Sequence, residues 1–179
     1  MRSTYKFSEY GAEAYFLTFT IVEWIPIFKD RKYCDIIIKN LKFYRKLQGL
    51  KIHYLVIMPD HIHLIASLDN NIGKIIRNLK SYTAKEIIQN LKQDKKTSIL
   101  NLLNFHKKKH KTESEYQVWQ EGSHPEIITT TEMLHQKIKY IHFNPVKGSI
   151  VKTPEQWRYS SACYYNGRES VMEFDDLVC

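Results

Sequence analysis

His61 and His63 stand two residues apart in a run, 61–68, that alternates in character. In a β-strand such a pair projects from one face about 7 Å apart at the backbone, close enough to converge on one divalent ion. Ile62 between them would anchor the strand in a core. The same spacing also describes two half-buried polar residues, so it does not make a metal site by itself. Tyr140 lies in a stretch of helical periodicity, with Gln136 one turn before it and Asn144 one turn after, on the same face. A tyrosine in an amphipathic helix ordinarily packs at a core boundary. This one has unusual company: Tyr140-Ile141-His142-Phe143-Asn144-Pro145-Val146-Lys147-Gly148, then Trp157-Arg158-Tyr159-Ser160-Ser161. A phenol ionises near pH ~10, so its use as a nucleophile at neutral pH needs an adjacent cation or base. No residue declares itself as that base. His142 projects roughly 200° around a helix from Tyr140, and His124, beside Pro125, is a candidate polar neighbour.

The elements that must position these groups follow from periodicity. Residues 14–22, with apolar character on both faces, read as a central strand. Ile37, Leu41, Tyr44 and Leu47 give a helix that ends near Gly49. Residues 51–58 and 61–68 form two strands joined by a tight turn at Pro59 and Asp60. A second helix spans about 72–91, burying Ile72, Ile75, Ile76, Leu79, Thr83, Ile87 and Ile88. The polar stretch 93–115 reads as a basic insert, either a solvated loop or a phosphate-contacting one. An extended segment starts at Tyr116, Val118 and Trp119 and resumes at Glu126. Thr129 and Glu132 then read as a capping box opening a third helix, which Pro145 stops. The resulting order is the βαββαβ plan of a ferredoxin-like α+β sandwich with an antiparallel sheet, plus an additional C-terminal helix carrying Tyr140. It is read as a single domain over 1–179 with its core at about 14–165. Residues 168–179 read as an acidic tail that adds little to that core.

At 179 residues and 43% hydrophobic content, the chain is long and apolar enough to build an ordinary core, which excludes disorder and fibre. Cys34, Cys163 and Cys179 are odd in number and lack CxxC spacing. That argues against a disulfide framework or zinc knuckle and fits the reducing cytoplasm. No apolar run approaches a membrane span, and no signal-peptide core follows Met1, so neither export nor membrane insertion is expected. The net charge of +8 favours a polyanionic partner. Lys74, Arg77, Lys80, Lys85, Lys107, Lys108, Lys109, Lys111, Lys147 and Arg158 are the candidate phosphate contacts. The 12 Tyr offer stacking surfaces for bases, whereas Trp119 and Trp157 read as structural.

Four ordered motifs resemble the single-tyrosine HUH transposases of the IS200-like group, particularly the branch associated with repetitive extragenic palindromes (REPs). Met58-Pro59-Asp60-His61-Ile62-His63-Leu64 is similar to that family's metal-binding segment and Lys80-Ser81-Tyr82-Thr83 to its second-helix signature. The stretch from Tyr140 to Lys147 resembles its nucleophile helix, and Trp157 to Ser161, with Pro154 and Glu155 before it, the tail that follows. The resemblance spans about 15–165 and implies a nuclease and strand transferase acting on single-stranded DNA near hairpins. It casts Tyr140 as the nucleophile forming a 5′-phosphotyrosine, His61 and His63 as ligands of Mg²⁺ or Mn²⁺, and Asn144 as the third ligand. It leaves open a homodimer that exchanges the tyrosine helix and a monomer. The alternative reading is a domesticated, non-catalytic protein that binds hairpin DNA.

Overall fold

The computed structural model describes residues 14–69, 72–122 and 125–177. Four strands form one antiparallel sheet in the order β2-β3-β1-β4: β1 (Ala14–Thr20), β2 (Lys51–Ile57), β3 (His61–Ser67) and β4 (Glu126–Ile127). β1 is central, as its two apolar faces require. The fourth strand is shorter than its sequence suggests. Trp119 makes only an isolated bridge to Ile21, and just Glu126 and Ile127 pair with β1.

One face of the sheet is covered by α1 (Arg31–Gln48) and α2 (Ile72–Gln93). α1 starts where the Asp30 carboxylate accepts from the Lys32 N–H, and it ends at Gly49, whose φ of +69° is the left-handed conformation glycine tolerates. Leu17, Phe19, Leu55, Ile57, Ile62 and Leu64 meet Ile37, Leu41, Ile76, Leu79 and Ile87 there in the larger core. Leu47, read as part of the α1 stripe, is exposed. Trp119 is structural, donating its Nε1–H to Thr83 Oγ1 at 3.1 Å, while Trp157 donates to the Ile57 carbonyl at 2.9 Å.

The opposite face is covered by α4 (Thr131–Lys147), following α3 (Thr97–Phe105) and β4 in the chain. Leu134, Ile138, Ile141 and Pro145 form its inward stripe, three of them buried, against Phe16, Val56, Met58 and Ile65. Burying one such aliphatic side chain is worth about 1.5–3 kcal/mol, so this stripe sets the rotation of the helix about its axis. Two expectations about α4 are corrected. The cap is Thr130, which accepts from Met133 N at 3.1 Å, so Glu132 falls one position short of completing a capping box. Pro145 does not stop the helix, because it sits in the last turn, where its missing N–H costs one bond and only two residues follow.

The insert and the tail are corrected as well. Residues 97–105 of the insert are helical, since Leu100 and Leu103, one turn apart, bury against the larger core. The tail adds to that core: Met172 and Phe174 are buried, and the two carboxylate oxygens of Asp175 accept from Arg45 Nε and Nη2, both at 2.8 Å. Asp175 also accepts from the Ile52 N–H at 2.8 Å, and its own N–H donates to the Ile52 carbonyl. Replacing Asp175 with Ala therefore removes a charged clamp, and the urea midpoint of the variant should report a loss of about 1–3 kcal/mol. An unchanged midpoint would mean that the tail is held by Met172 and Phe174 alone.

Cys34 and Cys163 are buried free thiols, and Cys179 lies outside the described residues. Among the described residues no helix is long and apolar enough to cross a membrane.

Candidate active site

The two histidines and the tyrosine meet on the face of the sheet that α4 covers. β3 places His61 and His63 on that face, and the register pairs them with Thr20 and Thr18 of β1. Tyr140 is one residue before the buried Ile141, so its ring is turned about 100° from the inward stripe and lies along the edge of the helix–sheet contact. The consequence is a ring cluster. The centroids of His61 and His63 are 4.8 Å apart, and those of His63 and Tyr140 are also 4.8 Å apart, edge to face. Phe16 stacks on His63 at 5.4 Å and meets Tyr140 at 6.1 Å.

Each histidine is held through Nδ1. Asp60 Oδ1 accepts from His61 at 2.5 Å, and Thr18 Oγ1 is hydrogen-bonded to His63 Nδ1 at 2.9 Å. This leaves Nε2 as the free nitrogen of both rings, the arrangement in which a partner on one side fixes the tautomer offered on the other. His63 Nε2 is buried and has no hydrogen-bond partner among the described residues. Burial, then the neighbouring His61 and Lys137, push the His63 pKa down to about 3, so the ring is neutral at physiological pH. Neutral imidazole is the form that binds a cation.

Lys137, Tyr140, Asn144 and Lys147 recur at intervals of three and four residues, a second stripe beside the buried one. Lys147 Nζ lies 5.8 Å from the centre of the Tyr140 ring. Lys137 Nζ sits 4.3 Å over Phe16 and pairs with Glu126 at 2.7 Å. Asn144 is half-buried, one turn beyond Tyr140, with helical geometry kept through Pro145. Gln136 is exposed. His142 faces away, as its helical projection requires, and is bonded to Ser161 Oγ at 2.9 Å. His124 lies outside the described residues. Sequence reasoning missed Thr18, Asp60 and Lys137. Only Lys137 carried a readable signal, three residues before Tyr140.

The candidate phosphate contacts separate into groups. Lys147 belongs to the Tyr140 stripe. Arg158 is exposed beside Tyr159, whose carbonyl accepts from Ile57 N at the same end of the sheet. Lys74, Arg77, Lys80 and Lys85 are on α2, across the sheet from Tyr140, although Lys80 reaches the end of β1 by donating to the Gln120 carbonyl. Lys85 and Lys111 line a groove with it. In the insert, Lys108, His110 and Lys111 converge on Glu121, whose carboxyl is held down at about 2 by hydrogen bonds from Lys111 and His110. Lys107 donates to the Lys111 carbonyl, and Lys109 is exposed. Much of the positive run is thus engaged within the protein.

Among the described residues no group of three or more His, Cys, Asp or Glu could hold a metal ion. The donors that fit one are the two imidazoles, above all the orphaned His63 Nε2.

Over 110 residues, 60% of its length, the chain is 30% identical to a protein of Haemophilus influenzae named as a REP-associated tyrosine transposase, and the match spans 56% of that relative. The structure superposes on that of a REP-associated tyrosine transposase bound to a REP hairpin with a TM-score of 0.60 at 18% identity, covering 94% of this chain and 88% of the other. At that identity the likeness concerns the fold. The family model for IS200-like transposases matches residues 25–142, which takes in His61, His63 and Tyr140, and the chain belongs to that family.

Proposed function

We propose that this chain cuts and rejoins single-stranded DNA beside hairpins, with Tyr140 as the nucleophile. The observation that carries the reading is the Tyr140 ring set 4.8 Å from a neutral, buried His63 whose Nε2 has no partner among the described residues. The Tyr140 phenol gives up its proton and its oxygen attacks the phosphorus. The P–O3′ bond breaks, a 3′-hydroxyl leaves with a proton, and the DNA 5′ end stays on the protein as a phosphotyrosine. Attack of a 3′-hydroxyl on that ester releases Tyr140 and reseals a strand. Lys147 and Lys137 bring positive charge to this stripe, drawing in the phosphate and offsetting the negative charge that builds on it in the transition state.

His61 and His63, with the Asn144 amide as the third protein donor, are the residues that would hold Mg²⁺ or Mn²⁺. Such an ion supplies charge neutralisation at the non-bridging phosphate oxygens. Asp60 and Thr18 keep both imidazoles turned with Nε2 available. The hairpin bound by the structural relative supports hairpin DNA as the partner.

The test is incubation of the protein with labelled single-stranded hairpin oligonucleotides, with Mn²⁺ or with EDTA, followed by a denaturing gel. A protein-linked DNA band that requires the metal is expected. Binding without any such band, across varied hairpins, would instead favour a non-catalytic hairpin-binding protein.

A further inference from the structure

A groove lies away from the tyrosine, at the opposite end of the sheet. It encloses about 840 Å³ between the end of α1, the start of β2 and the tail. Lys42 and Lys46, one turn apart on α1, line it with Lys51, Arg168 and the exposed ring of Tyr164. Lys42, Lys46 and Lys51 form no ion pair among the described residues, and the carboxylates of the groove, Asp175 and Glu173, face Arg45. The Ser170 hydroxyl, also in the lining, is shielded from solvent and has no hydrogen-bond partner among the described residues. Orphaned hydroxyls are uncommon in native proteins, and this one is a donor placed among cations. Unpaired cations and an exposed aromatic ring are the chemistry of a nucleic-acid backbone site.

The groove, beside α1, and the tyrosine, on the α4 face, are linked by one edge of the sheet. Residues 157–165 cover the outer edge of β2: Tyr159 bonds Ile57, Ser160 bridges Val56, Ser161 bonds Leu55 and Tyr165 bonds the His53 carbonyl. Arg158 stands at the catalytic end of this segment and Lys51 at the far end of the strand it covers. Lys51 pairs with Ser67, and His61 is six residues back along β3, a distance of about 20 Å. At 3.4 Å per step of duplex, that corresponds to about six base pairs.

We infer that the groove lined by Lys42, Lys46 and Lys51 grips the phosphate backbone of a DNA hairpin stem, about six base pairs from the strand held at Tyr140. This rests on the hairpin reading above and adds a second anchor to it. The two anchors act as a ruler, because a stem shorter than the span cannot engage both.

The test compares the wild type with the Lys42→Ala/Lys46→Ala/Lys51→Ala variant. All three side chains are exposed, and the fold of the variant is checked by circular dichroism. Fluorescence anisotropy is read between 50 and 200 mM salt, on hairpins with stems of four or eight base pairs and the same single-stranded flank. On the longer stem the variant should bind at least about tenfold more weakly. The slope of log affinity against log salt should shrink by between two and three, about 0.9 for each lost phosphate contact. On the shorter stem the two proteins should bind within about twofold of each other, and adduct formation on saturating unpaired DNA should be equal. Unchanged affinity and slope on the longer stem would overturn the inference. So would equal losses on both stems, which would report a diffuse field rather than a second anchor. If the wild type binds neither hairpin, the parent reading fails instead.

Discussion

Replacing Tyr140 with Phe is expected to abolish the protein–DNA adduct, a fall of about a thousandfold or more in the rate of its formation, while hairpin affinity stays within about threefold. The two effects separate because of how the ring is held. Its contacts with Phe16 and His63 are made by carbons that phenylalanine keeps, at centroid distances of 6.1 and 4.8 Å. The residue is exposed, so removal of its hydroxyl orphans no buried group. At 40% exposure the residue contributes little to stability, and the melting temperature should move by no more than about 0.5 kcal/mol implies. A gel-shift titration beside a denaturing gel reads both quantities on one preparation. Undiminished adduct in the variant would move the nucleophile elsewhere, with the exposed phenols of Tyr82 and Tyr164 the next to be changed.

How much of this site the sequence discloses depends on which interactions are local. The His61 and His63 pair is legible because a strand repeats every two residues, and the stripe of Lys137, Tyr140, Asn144 and Lys147 because a helix repeats every three or four. Thr18 is not legible in the same way. It reaches His63 across 45 residues, through a register that no local pattern encodes. Asp60 is adjacent to His61, yet its contact depends on how the turn closes, with its own carbonyl accepting from Ile21 N at 2.8 Å. The elements misread, the α3 helix and the tail, share a cause. Leu100 with Leu103, and Met172 with Phe174, carry apolar spacing that surrounding lysines and carboxylates obscure.

The placement of α2 was legible by another rule. Two right-handed crossovers, from β1 to β2 and from β3 to β4, put α1 and α2 on the same face. The histidines, alternating with Ile62 and Leu64, must then take the other face, which leaves it for α4. It follows that Lys74, Arg77 and Lys85 cannot join Tyr140 around one scissile phosphate, however well they suit a longer nucleic acid. α1 shares the face of α2, so Lys42, Lys46 and Lys51 also suit a longer nucleic acid rather than the scissile phosphate; with no ion pair among the described residues, they count for more there than the denser run at 107–111.

Replacing His63 with Ala should remove both the metal-dependent adduct and the response of stability to metal, which tests the site without relying on activity alone. A buried imidazole nitrogen without a partner costs about 1–3 kcal/mol relative to a satisfied one. A cation bound there relieves that cost only in the folded state, so the native protein is stabilised as ligand is added. At a Mn²⁺ concentration of about 100 times the dissociation constant the gain is about 2.7 kcal/mol, or roughly 5–10 °C for a chain of this size. The variant keeps His61 and its Asp60 partner, and it should show no such shift, with adduct formation lower by on the order of 10²-fold or more. Its stability without metal should fall by about 1–3 kcal/mol, because the packing against Phe16 and Tyr140 and the Thr18 hydrogen bond lost with the ring outweigh removal of the orphaned nitrogen. A variant that melts higher with Mn²⁺ as the wild type does would show that the ion binds elsewhere. His63 would then be a packing residue under Tyr140, its neutral ring serving only to seat the phenol.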